Sequence, residues 1–190
     1  MMIYFSLISV IFAIYLNSAE AGKEHIAGAC HDPFFLGDTP CDKQWSIRYY
    51  MDVPTETCLA FNYTGCGHNW NNFATSQACY EECLPLDHHK CPAASKIHKT
   101  TKGKTVCNDD CDCDAGNYCN IGQAYGHCCE KEFKDKVDND YNPPCPIGQT
   151  IVREKIHGIT VQLLGKRCLH NFCPFGSTCF DGNFFAACCN

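Results

Sequence analysis

A basic charge excess is missing from this 190-residue chain: 15 lysines and arginines stand against 21 acidic residues, for a formal charge of -6. Nothing in that balance calls for nucleic acid as a partner. Long apolar runs are missing after the amino terminus as well. The one that exists, Ile3 to Leu16, is broken only by Ser6 and Ser9 and falls short of the roughly 20 residues a bilayer span needs. It ends in Ala19-Glu20-Ala21 and, although it lacks a positive n-region, predicts a secretory signal peptide over residues 1–21. Cleavage there leaves 20 acidic against 15 basic residues and no membrane span. Catalytic motifs are also lacking. Gly103-Lys104-Thr105 ends like a phosphate loop, but His98 stands where its first glycine belongs, and there is no nucleophile elbow. The chain therefore reads as a non-enzyme that needs no cofactor.

What the chain has in excess is cysteine, 19 residues or about a tenth of its length. That fraction is typical of secreted disulfide scaffolds, and a reducing compartment would not keep so many thiols paired, so the location expected is extracellular. The 45% hydrophobic content counts cysteine as apolar, which leaves little for one large core and predicts several small stapled modules. The composition along the chain divides it into residues 22–86 (core 30–83), 87–129, a charged and proline-bearing linker at 130–144, and 145–190. The linker charges, Glu130 to Asp140, alternate in sign and read as solvated spacing.

The last two cysteine clusters repeat one another. CDAGNYCNIGQAYGHCC (Cys113 to Cys129) and CPFGSTCFDGNFFAACC (Cys173 to Cys189) place cysteines and glycines at identical intervals, and each repeat opens with Cys-Pro. Gly116, Gly122, Gly176 and Gly182 are expected to supply positive φ in tight turns. Cys107 matches Cys168 to within a residue, which leaves Cys111 without a counterpart. Since the total is odd, Cys111 is the candidate for the unpaired thiol, either free or linking the chain to a second copy as a dimer; pairing within the repeats stays open. TIVREKIHGITVQLL, in the last repeat, reads as a hairpin turning at His157-Gly158 that disulfides should tie down.

In the first cluster, IRYYM (Ile47 to Met51) and LAFNY (Leu59 to Tyr63) read as two strands joined through Asp52-Val53-Pro54-Thr55. Thr75 is a good N-cap for a short helix with Cys79 and Cys83 on one face. The gaps from Cys58 to Cys66, Cys79 and Cys83, with Arg48-Tyr49-Tyr50, Phe61, Tyr63, Gly65-Cys66 and Asn71-Asn72-Phe73, resemble the Kunitz, or pancreatic trypsin inhibitor, family. The resemblance covers about residues 30 to 83. It implies a small disulfide-rich α+β module, a twisted hairpin plus a C-terminal helix, with disulfides Cys30–Cys83, Cys41–Cys66 and Cys58–Cys79. The repeats are similar to lustrin-type cysteine-rich repeats, here expected as small β/loop modules.

The family resemblance further implies a serine protease as partner, held by a rigid substrate-like loop, here Thr39, Pro40, Cys41, Asp42, Lys43 and Gln44, with a secondary loop at Asn62, Thr64 and Gly65. Pre-organisation gives such a loop its affinity. The residue after the second cysteine enters the specificity pocket, and here it is Asp42, which would meet the acidic pocket of a trypsin-like enzyme as a like charge. The stretch from Cys41 to Cys58 is one residue longer than usual in the family, so Lys43 is the specificity residue if the insertion precedes it. Cys30 to Cys41 is two residues longer, and Thr39 and Thr64 replace family glycines, adding bulk where a protease would approach. Asn62-Tyr63-Thr64 is a glycosylation sequon, and a glycan on Asn62 would hinder docking. These departures sustain a second reading, a non-inhibitory extracellular matrix or binding protein on the same scaffold.

Two other clusters have binding-site residue types. Cys111-Asp112-Cys113 beside Asp109 and Asp110 has metal-ligating residue types, but in a secreted chain disulfides compete for the thiols, and no metal is expected. Four lysines between Lys96 and Lys104 read as a solvated loop rather than an acidic-surface binder.

Overall fold

The computed structural model describes residues 26–85, 88–156 and 158–190. The expected signal peptide, Leu86 and Asp87, and the turn residue His157 lie outside the described residues.

The first unit is built on a hairpin. Strands β1 (Ser46–Asp52) and β2 (Thr57–Tyr63) pair antiparallel without a break from Ser46–Tyr63 to Asp52–Thr57. Their sequences are apolar on both sides because both faces are covered. Tyr49, Met51, Cys58 and Ala60 face one buried cluster, and Tyr50, Leu59 and Phe61 face another. Helix α1 (Ser76–Cys83) starts at Thr75, whose Oγ1 accepts from the Ala78 amide at 3.1 Å. It carries Cys79, bonded to Cys58, and Cys83, bonded to Cys30.

The second unit is a three-stranded sheet, order β3 (Ile97–His98), β5 (Gly126–Glu130), β4 (Asn117–Ile121). Helix α2 (Lys131–Tyr141) follows. The third unit holds a separate hairpin, β6 (Arg153–Ile156) with β7 (Ile159–Gln162), then β8 (Leu164–Gly165), β9 (Thr178–Asp181) and β10 (Ala186–Cys189). The two repeats share one connectivity: Cys91–Cys129, Cys107–Cys119 and Cys113–Cys128 correspond to Cys145–Cys189, Cys168–Cys179 and Cys173–Cys188. Cys111 is free and exposed.

Four sequence expectations need correction. The modules are not separate beads: β8 lies parallel beside β2 through Ala60 and Gly165, giving one five-stranded sheet in the order β1-β2-β8-β10-β9. Phe172, fully buried, packs in the same core as Met51, Ala60 and Leu163, so two cysteine clusters share one interior. The stretch 130–144 is not a solvated spacer either. Phe133 and Val137 lie one turn apart on α2 and pack against the core that contains Leu164 and Phe185, while Glu132–Lys136 and Lys134–Asp138 pair on its outer side.

The third correction concerns the turn glycines. Gly116 and Gly176 have positive φ, but Gly122 and Gly182 are needed for close approach: a Cβ on Gly122 would stand 2.8 Å from His89 Nδ1, and one on Gly182 would stand 2.2 Å from Asp140 Oδ1. The fourth concerns the β6–β7 hairpin, which contains no cysteine. It is fastened by Glu154, which accepts from the Tyr49 hydroxyl at 2.6 Å and from the Ser76 hydroxyl at 3.0 Å.

Candidate functional site

The β1–β2 hairpin has two unlike ends. At its turn, Asp52 binds the Lys166 ammonium at 2.8 Å, and Lys90 donates to the Thr55 carbonyl at 2.8 Å. The rest of the chain thus grips the hairpin at its closed end. At the open end, about 20 Å away for seven residues of strand, residues 38–40 and 42–47 are exposed.

That exposed stretch is braced on both sides. The Cys41–Cys66 disulfide joins the primary and secondary loops. The Asp38 amide donates to the Cys66 carbonyl at 3.0 Å and the Thr64 amide to the Leu36 carbonyl at 3.0 Å. β1 pairs with β2 in continuous register from Ser46 onward, and four residues separate Cys41 from Ser46. Asp42 is exposed, and its carboxylate lies within 4.8 Å of both sulfurs of the disulfide. Lys43 is exposed as well, and a Cβ on Gly65 would stand 2.8 Å from its Cβ. Gln44 is exposed beyond it, and Trp45 is 48% exposed. Thr39 and Pro40 are exposed ahead of Cys41.

Thr64 does not add bulk at the surface. It is 1% exposed, and its hydroxyl accepts from the Cys66 amide at 3.3 Å. The space it fills belongs to Gly37, where a Cβ would stand 2.0 Å from Thr64 Oγ1. Asn62 is partly exposed on β2, directly opposite Ile47, and so sits one strand from the loop.

Asn71, part of the Asn71-Asn72-Phe73 motif, ties the Cys30–Asp32 segment to the turn end of β1. Asn71 is 2% exposed; its Oδ1 accepts from the Met51 amide at 2.7 Å, and its Nδ2 donates to the carbonyls of Cys30, Asp32 and Met51, each at 3.0 Å. Beside it, Arg48 Nε donates to Asn72 Oδ1 at 2.8 Å. A buried amide with every partner supplied fixes one local backbone geometry.

Two groups among the described residues have metal-like geometry, Cys107-Cys113-Cys128 and Cys41-Asp42-Cys66. All their sulfurs are in disulfides and none is a thiolate ligand. Among the described residues, no helix is long and apolar enough to cross a membrane.

Residues 29–84 match the family described as the Kunitz/bovine pancreatic trypsin inhibitor domain. A BPTI/Kunitz inhibitor domain-containing protein of Caenorhabditis elegans is 32% identical over 85% of this chain and 89% of its own. The major allergen Ani s 1 of Anisakis simplex is 29% identical over 98% of this chain and 97% of its own. A Kunitz-type serine protease inhibitor of Hoffmannihadrurus gertschi is 39% identical over 44% of this chain and 90% of its own. No solved structure matches the chain.

Proposed function

Because this chain belongs to the Kunitz/bovine pancreatic trypsin inhibitor domain family, we propose that it is a secreted inhibitor-type protein that offers residues 39–44 to a serine protease as a substrate-like loop, with Asp42 at the specificity position. The observation that supports the choice of residue is the brace: Asp42 is exposed and directly follows Cys41, which the disulfide to Cys66 holds in place. An aspartate there faces a trypsin-like pocket as an uncompensated like charge, a cost of several kcal/mol. The target class is a serine protease whose pocket accepts an acidic side chain. Access to the loop is consistent with this, since the appended units hold the hairpin by its other end.

Secretion follows from the leader at 1–21 and the disulfide content, the two repeats are lustrin-type modules, and the free Cys111 gives the chain one thiol with which to join a second copy. The test is an inhibition panel of trypsin-like, chymotrypsin-like, elastase-like and acid-preferring serine proteases against the mature, deglycosylated chain. Inhibition of the acid-preferring enzyme is the expected result, and inhibition of none would overturn the proposal.

A second reading, a non-inhibitory matrix or binding protein, draws on the sequon at Asn62, whose side chain starts directly opposite Ile47. A glycan there covers the approach to the loop. If the glycosylated protein is inert and the deglycosylated protein inhibits, the glycan is a modulator; if both are inert, the second reading stands.

A further inference from the structure

The two cysteine-rich repeats part company at two turn corners. In the third unit, Pro146-Ile147-Gly148-Gln149 and Pro174-Phe175-Gly176-Ser177 are one turn used twice. In each, the amide of the fourth residue donates to the carbonyl of the first at 3.0 Å, and the glycine has positive φ, +86° at Gly148 and +85° at Gly176. That is the pattern of a type II turn. Ile147 and Phe175 stand at the corners and are fully exposed. The corresponding positions of the first repeat hold Ala93 and Ala115. Since that repeat closes with the same disulfide connectivity, the fold needs no large apolar side chain at either corner.

Both corners leave the same end of the five-stranded sheet. Thr150, just after the first turn, exchanges backbone hydrogen bonds with Asn190 at 2.8 and 2.9 Å, and Thr178, just after the second, pairs with Cys189. The turns therefore flank the end of β10, on strands about 10 Å apart. Cys145–Cys189 and Cys173–Cys188 tie the bases of the turns to adjacent residues of that strand. The segments that build this end, 143–152, 171–180 and 186–190, contain no Asp, Glu, Lys, Arg or His, in a chain that is 19% charged.

One exposed apolar side chain is ordinary, but two on matching turns at an uncharged end call for an occupant. Size and shape select it. Two side chains supply far less than the roughly 800 Å2 that each partner buries in a standard protein interface. Convex corners offer no groove for a peptide. A bilayer interface requires neither a large area nor a matching shape, and it accepts apolar side chains from a surface with neutral flanks. Attraction to anionic headgroups depends on Lys and Arg, which this end lacks.

We propose that Ile147 and Phe175 anchor the chain reversibly to a zwitterionic membrane surface, both side chains inserting below the headgroups. Burial of two such side chains supports an association constant on the order of 10²–10⁴ M⁻¹, up to that of a single myristoyl chain. The proposal does not depend on the reading of the loop at 39–44.

The test is co-sedimentation of the full mature chain, in a Cys111→Ser background, with phosphatidylcholine vesicles. Saturable binding is expected, indifferent to salt and not strengthened when phosphatidylserine is added. Ile147→Ala and Phe175→Ala should each weaken it about tenfold or more, and Phe175→Asp should abolish it. The first repeat carries alanine at both positions, so the alanine variants should fold, and an unchanged urea midpoint checks this. Absence of binding by the parent chain, or equal binding by both alanine variants, overturns the proposal. So does binding that rises with phosphatidylserine and falls with salt, or a lipid-free dimer in analytical ultracentrifugation that Phe175→Ala dissociates, which would make a second copy the occupant.

Discussion

Asp140 closes directly over Gly182: the space a Cβ would need at residue 182 is taken up by the Asp140 carboxylate, 2.2 Å away. That carboxylate is buried and accepts from the amides of Asn183 at 2.6 Å, Phe184 at 2.7 Å and Phe185 at 3.1 Å. In the first repeat, His89 lies over Gly122 in the corresponding place and bonds the Asn120 carbonyl at 2.8 Å. In both repeats a residue ahead of the opening Cys-Pro folds back onto the hairpin turn.

Asp140→Asn therefore sets an amide donor against backbone donors, and it should cost about 2–4 kcal/mol from the loss of charged hydrogen bonds and the unpaired groups left behind. Gly182→Ala should destabilise as well, by steric displacement of the same carboxylate. Urea denaturation of each variant checks both, and a change within 0.5 kcal/mol, about what a neutral surface substitution gives, would contradict the buried network.

Asp42→Lys should turn the chain into a trypsin inhibitor. Removing a like-charge cost of several kcal/mol corresponds to roughly a thousandfold gain in inhibition constant. Lys43→Ala in the native background should change little, because Asp42 and not Lys43 directly follows the disulfide-braced Cys41. The reverse pattern would move the specificity position to Lys43.

His170 gives the interface a pH dependence. Its ring stacks on Phe34 with centroids 4.4 Å apart, and burial, aided by Arg167 and Lys166 against the opposing pull of Asp181 and Asp52, holds its pKa below the ordinary 6.5. A folded-state value below the unfolded one means stability that is present above pH 6.5 and is lost as pH falls through the folded value. The urea midpoint should fall more between pH 7.5 and 5.0 in the wild type than in His170→Phe, which keeps a ring and cannot take up the proton. Parallel losses in the two proteins would show that other groups dominate.

Cys111 should take up one equivalent of maleimide without unfolding, and Cys111→Ser should take up none, as read by intact mass. The eighteen other cysteines are paired. A doubled mass that collapses on reduction would instead identify the residue as a covalent link between two chains.

The hairpin and helix of the first unit were legible because their signals are local: two apolar runs flanking a turn, and Thr75 as a helix cap. The repeats announced themselves by spacing. The shared sheet did not, since β8 contributes only Leu164 and Gly165, and a two-residue strand has no periodicity to read. Helix α2 did leave a trace, Phe133, Val137 and Tyr141 at four-residue intervals, but the alternating charges around them resemble those of a solvated linker. Those charges are what pairs across successive turns look like before the helix is known. At the loop, the family resemblance told that Thr64 stands where a glycine is usual and not that Gly37 makes room for it, because the compensation links positions 27 apart.

The backbone join at Ala60 and Gly165 means that the inhibitor-type unit is not a portable cassette. Excised at residue 86, it would leave the flank of β2 bare, the Tyr49 phenol without its acceptor and Asp52 without Lys166. The same join fixes the bearing of the loop. A molecule that took hold of the third unit would find residues 39–44 at a set distance and heading, as on a bracket rather than on a tether.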